Sequence, residues 1–382
     1  CYYYKYVKGC SVPVMVTLYV DDCIIAYPKQ LEHIWLADKA KICETYKIDD
    51  LDDINFCLKM KIDRDRTTGT ISISQYGYVM ALLNEYKLTE LKPADNPCLS
   101  GDLTSVNDSQ PDMEVPLTTF EHELYRSMIG SLMYLGNTTR LDVCYAVHFL
   151  ARYLQAPLKK HMKAVKHIFR YLVGHPNYVL LYGRTGTTGG LVNGINDTGA
   201  INFPNGTEYA GTIGATDAGT YTGTVNGSTS TGGGTDTSAG TTHYHYLNGY
   251  TDSDWAADTG TRCSTSGGIV TLNGNIISWL CQKQKSVSQS STESEYYAVN
   301  SLANEIIWFQ NLLYELFEQH LQSVLFIDTQ AALHWSTSEA LNHKRSKHVD
   351  VRYKFVRQQI QNERIKVQWK PTTYQLADIL TK

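Results

Sequence analysis

At 382 residues with 42% hydrophobic content, the chain is long enough for two or three domains with real cores, which excludes a wholly disordered protein. A formal net charge of −4 excludes a uniformly basic nucleic-acid-binding protein, and no run of 18 or more apolar residues offers a membrane span. Nine cysteines, at positions 1, 10, 23, 43, 57, 98, 144, 263 and 281, show neither a CxxC pair nor zinc-finger spacing, so they read as reduced thiols of an intracellular protein. With neither an initiator methionine nor a signal peptide at Cys1, the chain reads as a fragment.

Residues 12–20 are apolar and rich in β-branched side chains, Asp21 and Asp22 interrupt them, and residues 23–27 resume the pattern. That order predicts a β-hairpin with two acids at its tip. Helical spacing follows over 31–46, then a second hairpin over 59–74 with its turn at Thr67-Thr68-Gly69, then a helix over 76–86. Residues 99–116 are polar, aperiodic and proline-containing, and read as a loop. Three helices are expected over 121–135, 142–154 and 158–172, separated by Asn137-Thr138-Thr139 and by Ala156-Pro157.

The modest average charge hides two basic stripes. No acid lies between Asp142 and Asp197, where Lys159, Lys160, Lys163, Lys166 and Arg170 follow one another at helical spacing. A second run, Lys344, Arg345, Lys347, His348, Arg352, Lys354 and Arg357, is opposed by Asp350 alone. Such stripes suit a phosphate backbone, although a solvated helix face has the same composition.

Residues 183–242 are dominated by Gly and Thr, with no lysine and five charged residues. This composition buries too little apolar surface to offset its ordering entropy, so a flexible insertion is expected, with a loose array of hairpins as the other reading. From 247 onward the pattern is strand, strand, strand, helix, strand, helix, helix, strand, helix: 247–255, 267–272, 276–281, 291–316, 324–328, 329–335, 347–362, 365–369 and 374–381. Ser290 is the N-cap candidate of the long helix. The order predicts an α/β domain with a mixed five-stranded sheet.

Four carboxylates in this last third stand in telling contexts. Asp252 lies in Tyr250-Thr251-Asp252-Ser253-Asp254, Glu295 in Ser291-Thr292-Glu293-Ser294-Glu295, Asp328 after Val324-Leu325-Phe326-Ile327, and Asp378 in Leu376-Ala377-Asp378-Ile379-Leu380. Two divalent cations roughly 4 Å apart need several anionic oxygens to offset their repulsion, and carboxylates gathered from distant segments supply them. The constellation points to phosphodiester cleavage. Asp254, two residues along the strand, shares the face of Asp252 and is a candidate supporting group; Glu293 fits a helix-dipole or capping role.

Longer motifs carry a family resemblance. Tyr19-Val20-Asp21-Asp22 resembles the polymerase hairpin of reverse transcriptases. The segments Tyr125-Arg126-Ser127-Met128-Ile129-Gly130, Thr139-Arg140-Leu141-Asp142, His161-Met162-Lys163-Ala164-Val165-Lys166, Ser291-Thr292-Glu293-Ser294-Glu295-Tyr296, Lys347-His348-Val349-Asp350 and 375–382 resemble copia-type (Pseudoviridae-like) LTR retrotransposon polyproteins. The resemblance covers nearly the whole chain except 183–242.

It implies a mixed α/β and α+β architecture: the C-terminal part of a reverse-transcriptase palm and the start of a thumb (1–104), a helical thumb and connection (105–182), the Gly/Thr-rich insertion (183–246) and a ribonuclease H-like domain (247–382). It also implies that Asp252, Glu295, Asp328 and Asp378 are the catalytic tetrad and the ligands of two Mg²⁺ or Mn²⁺ ions, with Asp21 and Asp22 as the remnant of a polymerase metal site. The implied activity is RNA-strand cleavage of RNA–DNA hybrids; the polymerase is incomplete, since its third aspartate and fingers would lie upstream. A catalytically inactive nucleic-acid-binding remnant is the alternative. Lys159, Lys160, Lys163, Lys166, Arg170, Lys344, Arg345, Lys347, His348 and Arg352 are the expected nucleic-acid contacts. Partners would be hybrid, DNA and the rest of the polyprotein, with no membrane. The expected location is cytoplasmic, in a virus-like particle, or nuclear. This sequence departs from the wider pattern in having no histidine in Lys370-Pro371-Thr372-Thr373-Tyr374, and Leu141 where a proline is usual.

Overall fold

The computed structural model describes residues 1–98, 114–183, 190–193, 246–258, 260–337 and 347–382, with the backbone alone for 190–193, 335, 337 and 347–351. Tyr2–Lys5 (β1), Val14–Tyr19 (β2) and Asp22–Ala26 (β3) form a three-stranded antiparallel sheet. Val20, at φ 56°, makes the β2–β3 turn that leaves Asp21 and Asp22 exposed at the expected tip. The helix Glu32–Thr45 (α1) buries no residue.

Met60–Asp65 (β5) and Thr70–Ser74 (β6) form the second hairpin, whose turn is capped by Asp65 accepting from the Thr67 and Thr68 amides. Together with Phe56–Cys57 (β4), Tyr178–Tyr182 (β7) and Gly190–Asn193 (β8) they make a sheet in the order β4-β5-β6-β7-β8. The strands β7 and β8 are absent from the sequence reading, and β8 lies inside the stretch expected to be a flexible insertion; the rest of that stretch up to residue 245, where the loose hairpins would fall, lies outside the described residues.

Tyr76–Glu85 (α2), Thr119–Thr138 (α3), Leu141–Ala151 (α4) and Lys159–Gly174 (α5) are the four helices read from the periodicity, within a few residues at each end. A capping box at Thr118 and Glu121 starts α3. Arg140, only 1% exposed, anchors the start of α4: its guanidinium donates to both Asp142 oxygens, and the Tyr171 hydroxyl donates to Asp142 as well. Pairing with Asp142 offsets much of the cost of burying this charge, while Arg140 Nη1 is buried without a hydrogen-bond partner.

The C-terminal part is a mixed sheet, Asn275–Lys283 (β11), Thr265–Leu272 (β10), Leu247–Ser253 (β9), Ser323–Ile327 (β12) and Ile365–Trp369 (β13), in the order β11-β10-β9-β12-β13. The first three strands are antiparallel, whereas β12 runs parallel to both β9 and β13. This is the α/β architecture with the mixed five-stranded sheet that the resemblance implies. Ser291–Phe317 (α6), Gln330–Thr337 (α7) and Lys347–Gln361 (α8) pack on one face, with Val299, Leu302, Ile306, Leu325 and Val356 in its core. The other face shares a core with α3, α4 and α5 through Tyr250, Ile269, Ala377 and Leu380.

The last element also differs from expectation. Residues 374–381 were expected to form a helix, but Leu376–Leu380 is a 3-10 turn, with the Asp378 amide donating to Gln375 and the Thr381 amide to Asp378. Packing decides this, because a tighter turn fits flat against the sheet. Among the described residues, no helix is long and apolar enough to cross a membrane.

Candidate metal centre and nucleic-acid interface

The parallel strands β9, β12 and β13 end at one edge of the sheet, and the acids gather there. Asp252 is near the end of β9, Asp328 follows β12 directly, and Glu295 projects from the second turn of α6. Each offers one carboxylate oxygen, and the three oxygens lie within 4.8 Å of one another. Ser290 fixes the start of α6 by accepting from the Glu293 amide at 3.2 Å. The contact between the Ser253 and Ser294 hydroxyls, at 2.7 Å, ties the helix to β9 beside the site. Glu293 faces away, its carboxylate accepting from the Gln289 amide, as its capping position suggests.

Asp378 arrives from the C-terminal turn on the opposite face from α6. The register pairs Asp252 with Gly267 of β10, and a Cβ on Gly267 would meet Thr381 Cγ2 at 2.8 Å and the Ala377 carbonyl at 3.0 Å. Glycine is required here because the turn lies directly on the strand. Two groups of that turn reach Asp252: the Thr381 hydroxyl donates to its Oδ2, and Lys382 Nζ stands 3.7 Å from the same oxygen and 2.9 Å from Asp378 Oδ2. The sequence reading assigns no role to Thr381 or Lys382; the available signal was their spacing of three and four residues from Asp378. Thr372 similarly donates to Asp328 Oδ2 at 2.9 Å.

Crowded acids raise one another's proton affinity. Burial, then the charges of Asp252 and Asp328, push Glu295 up to about 9. Burial pushes Asp252 up to about 6, although the Thr381 hydrogen bond and the Lys382 ammonium oppose it. Two oxygens of this set, Glu295 Oε2 and Asp378 Oδ1, are buried without a hydrogen-bond partner. Orphaned anionic oxygens among clustered carboxylates are the donor set a hard divalent cation takes. The residues therefore fit a hard divalent cation. Asp254 has another task, its Oδ1 accepting from the Thr265 amide at 2.6 Å.

The N-terminal acids are a different matter. Asp21 and Asp22 sit exposed on a hairpin, and no third acid among the described residues gathers with them into a metal-holding group. Along α5, Lys159, Lys163, Lys166 and Arg170 line a 360 Å³ groove with Leu117, Met162, His167 and one acid, Glu121. Lys160 points elsewhere and pairs with Glu114 at 2.6 Å. Arg170 also donates to the Lys92 carbonyl. Of the second stripe, Lys344 and Arg345 lie outside the described residues, the side chains of Lys347 and His348 are not described, and Arg352 stacks its guanidinium 4.2 Å from the Tyr297 ring centre.

No family model matches the chain. It is 30% identical over 382 residues to a retrovirus-related Pol polyprotein from transposon TNT 1-94 of Nicotiana tabacum, a match that covers all of this chain and 24% of that protein. A second such polyprotein, from transposon RE1 of Arabidopsis thaliana, is 28% identical and is matched over 98% of this chain and 21% of its own length. Along its whole length the chain is similar to retrovirus-related Pol polyproteins of plant transposons. It spans about a quarter of the length of the Pol polyproteins it matches. Among solved structures, a foamy viral protease-reverse transcriptase in complex with double-stranded DNA is similar at 11% identity and a TM-score of 0.44, covering 94% of this chain and 46% of that one. The Pol resemblance expected from the motifs is thus the relationship found across the chain's full length.

Proposed function

We propose that this Pol-related chain cleaves the RNA strand of RNA–DNA hybrids at the Asp252, Glu295, Asp328 and Asp378 centre. The observation that carries the reading is the convergence of three acids, from β9, α6 and the end of β12, within 4.8 Å at one sheet edge. Two bound divalent ions would supply an activated water on one side of the scissile phosphate and charge stabilisation of the leaving 3′-oxygen on the other. The chain's own groups do the rest. Asp252 and Asp328 are oriented by the Thr381 and Thr372 hydroxyls, and Glu295 and Asp378 keep buried oxygens free for coordination. Lys159, Lys163, Lys166 and Arg170 are the proposed contacts to the phosphate backbone, and the selection of hybrid would rest on its shape and on the 2′-hydroxyl.

The polymerase acids Asp21 and Asp22 have no such support, so polymerisation by this chain alone is not proposed. A second reading, hybrid binding without cleavage, draws on Lys382: its ammonium already holds Asp378 and approaches Asp252 where a metal would compete. The deciding experiment is cleavage of a labelled RNA–DNA hybrid with Mg²⁺ or Mn²⁺ by the chain and by Asp252→Asn and Asp328→Asn. Cutting of the RNA strand that both substitutions abolish supports the nuclease. Retained hybrid binding with no metal-dependent product supports the binding module.

A further inference from the structure

Tryptophan is usually well buried, so an exposed one beside a site asks for an explanation. Trp255 is 56% exposed and Trp369 is 44% exposed. Both leave the sheet at the edge that carries the acids: Trp255 three residues past Asp252 on the chain leaving β9, Trp369 at the end of β13, with Asp328 following the strand between. Each indole is pinned by its polar corner. Trp255 Nε1 donates to the Ser288 carbonyl at 3.3 Å, just ahead of the helix that carries Glu295. Trp369 Nε1 donates to the carbonyl of Asp328 itself at 2.9 Å. With its one donor satisfied by backbone, an indole has only its apolar face and edge left to offer.

We infer that Trp255 and Trp369 are the side walls of the nucleic-acid path, pressing on the sugar rings of an RNA–DNA hybrid on either side of the phosphate that the acids address. This rests on the nuclease reading for its substrate class. Sugars rather than bases are the partners, because indoles fixed to the backbone at a strand end cannot swing into a stack, and a hybrid keeps its bases paired. The two nearby cations are already engaged, Lys370 over the Tyr250 and Phe326 rings and Lys382 on Asp252 and Asp378, so the indole faces are the groups this end of the sheet presents outward. Apolar contact adds affinity without sequence preference and without counterion release, unlike the lysines of α5.

The test is anisotropy of a labelled hybrid bound to the full chain in Ca²⁺, with salt titrations, for Trp255→Ala, Trp369→Ala, their Phe counterparts and Trp308→Ala. Trp308 is 56% exposed on α6, about 20 Å along the helix from Glu295, and serves as the control. Each site Ala variant is expected to weaken binding about fivefold or more with an unchanged salt slope. The Phe variants, which keep a ring face, should stay within about twofold, and Trp308→Ala should match the parent. Parental affinity in both Ala variants, or no hybrid binding by the parent, overturns the inference. So does a Phe variant that binds as poorly as Ala while melting at the parental temperature, since the pin and not the face would then matter. Hybrid cleavage is read in parallel in Mg²⁺. Tryptophan-dependent binding without cleavage sinks the nuclease and keeps the walls; cleavage with neutral tryptophans does the reverse.

Discussion

Glu295 and Asp252 keep their protons to higher pH than they would in an unfolded chain. Both titrate near 4 when exposed to water, whereas the fold carries Asp252 up to about 6 and Glu295 up to about 9, in each case mainly by burial. In the metal-free protein, the stability these raised values contribute is complete below about pH 4. It is lost as the pH climbs through about 6 and then about 9. A divalent ion takes the ionised carboxylates, so its binding expels protons and tightens with rising pH. Melting followed by scanning fluorimetry should therefore show a metal-free midpoint that falls from pH 5 to pH 9, and a Mg²⁺-induced upshift that is small at pH 5 and several degrees at pH 9. An upshift of equal size at both ends would refute the linkage. Glu295→Gln should flatten the metal-free fall above pH 6, because the group responsible no longer ionises. The three acids that gather, Asp252, Glu295 and Asp328, could be picked out from their local contexts, while Asp378 stands outside that group. Thr381 and Lys382 could not, since a hydroxyl and an ammonium acquire meaning only when the turn folds back on Asp252.

At the scale of elements, the site depends on how closely the C-terminal turn approaches β10. Gly267→Ala would place a methyl 2.8 Å from Thr381 Cγ2 and 3.0 Å from both the Ala377 carbonyl and Leu380 Cβ. The turn must then lift, taking Asp378 and Thr381 away from Asp252. Overpacking of this kind costs about 1–3 kcal/mol, and metal affinity measured by calorimetric titration should fall along with the melting temperature. Gly130 in α3 makes the contrast, because a Cβ there meets nothing within 4 Å. Gly130→Ala should stabilise by about 0.5–1 kcal/mol through helix propensity alone, with metal affinity unchanged. If Gly267→Ala loses stability but keeps its metal affinity, the turn does not position the site. The same contrast explains what periodicity could tell. Helices α2 to α6 and strands β9 to β13 carry their own hydrophobic repeat, so their spans were readable. The 3-10 form of 376–380 and the addition of β7 to β6 are set by packing and pairing across more than a hundred residues, which no local pattern encodes.

Over the whole molecule, the helical region and the C-terminal mixed sheet meet along a shared core and a polar seam. Trp279 of β11 donates from Nε1 to the Gly136 carbonyl of α3 at 2.9 Å. Arg152, just past α4, donates to Asp258 at 3.2 Å and to Thr265 at 2.9 Å, and Lys283 reaches the same Asp258 oxygen at 2.5 Å. Asp258 is thus the anion between two cations. Burial works against its charge, but the Lys283 hydrogen bond and the Thr261 amide outweigh it and hold the carboxyl down at about 2. Its contribution is accordingly present above about pH 4 and lost as the pH falls through about 2. With side-chain exposures of 8% for Asp258, 15% for Arg152 and 28% for Lys283, the network ranks between a surface and a fully buried pair. Asp258→Asn should then cost about 1–3 kcal/mol near neutral pH and lower the melting midpoint by several degrees. Combining it with Trp279→Phe removes the Asp258 ion pairs and the indole tie, leaving Arg152 on Thr265 and Asn275 on Gly183, so calorimetry should show the single transition broaden or resolve into two. A double variant that still melts as one unit, at the parental temperature, would assign the coupling to the apolar contact of Tyr250, Ile269 and Leu380 with the helices instead.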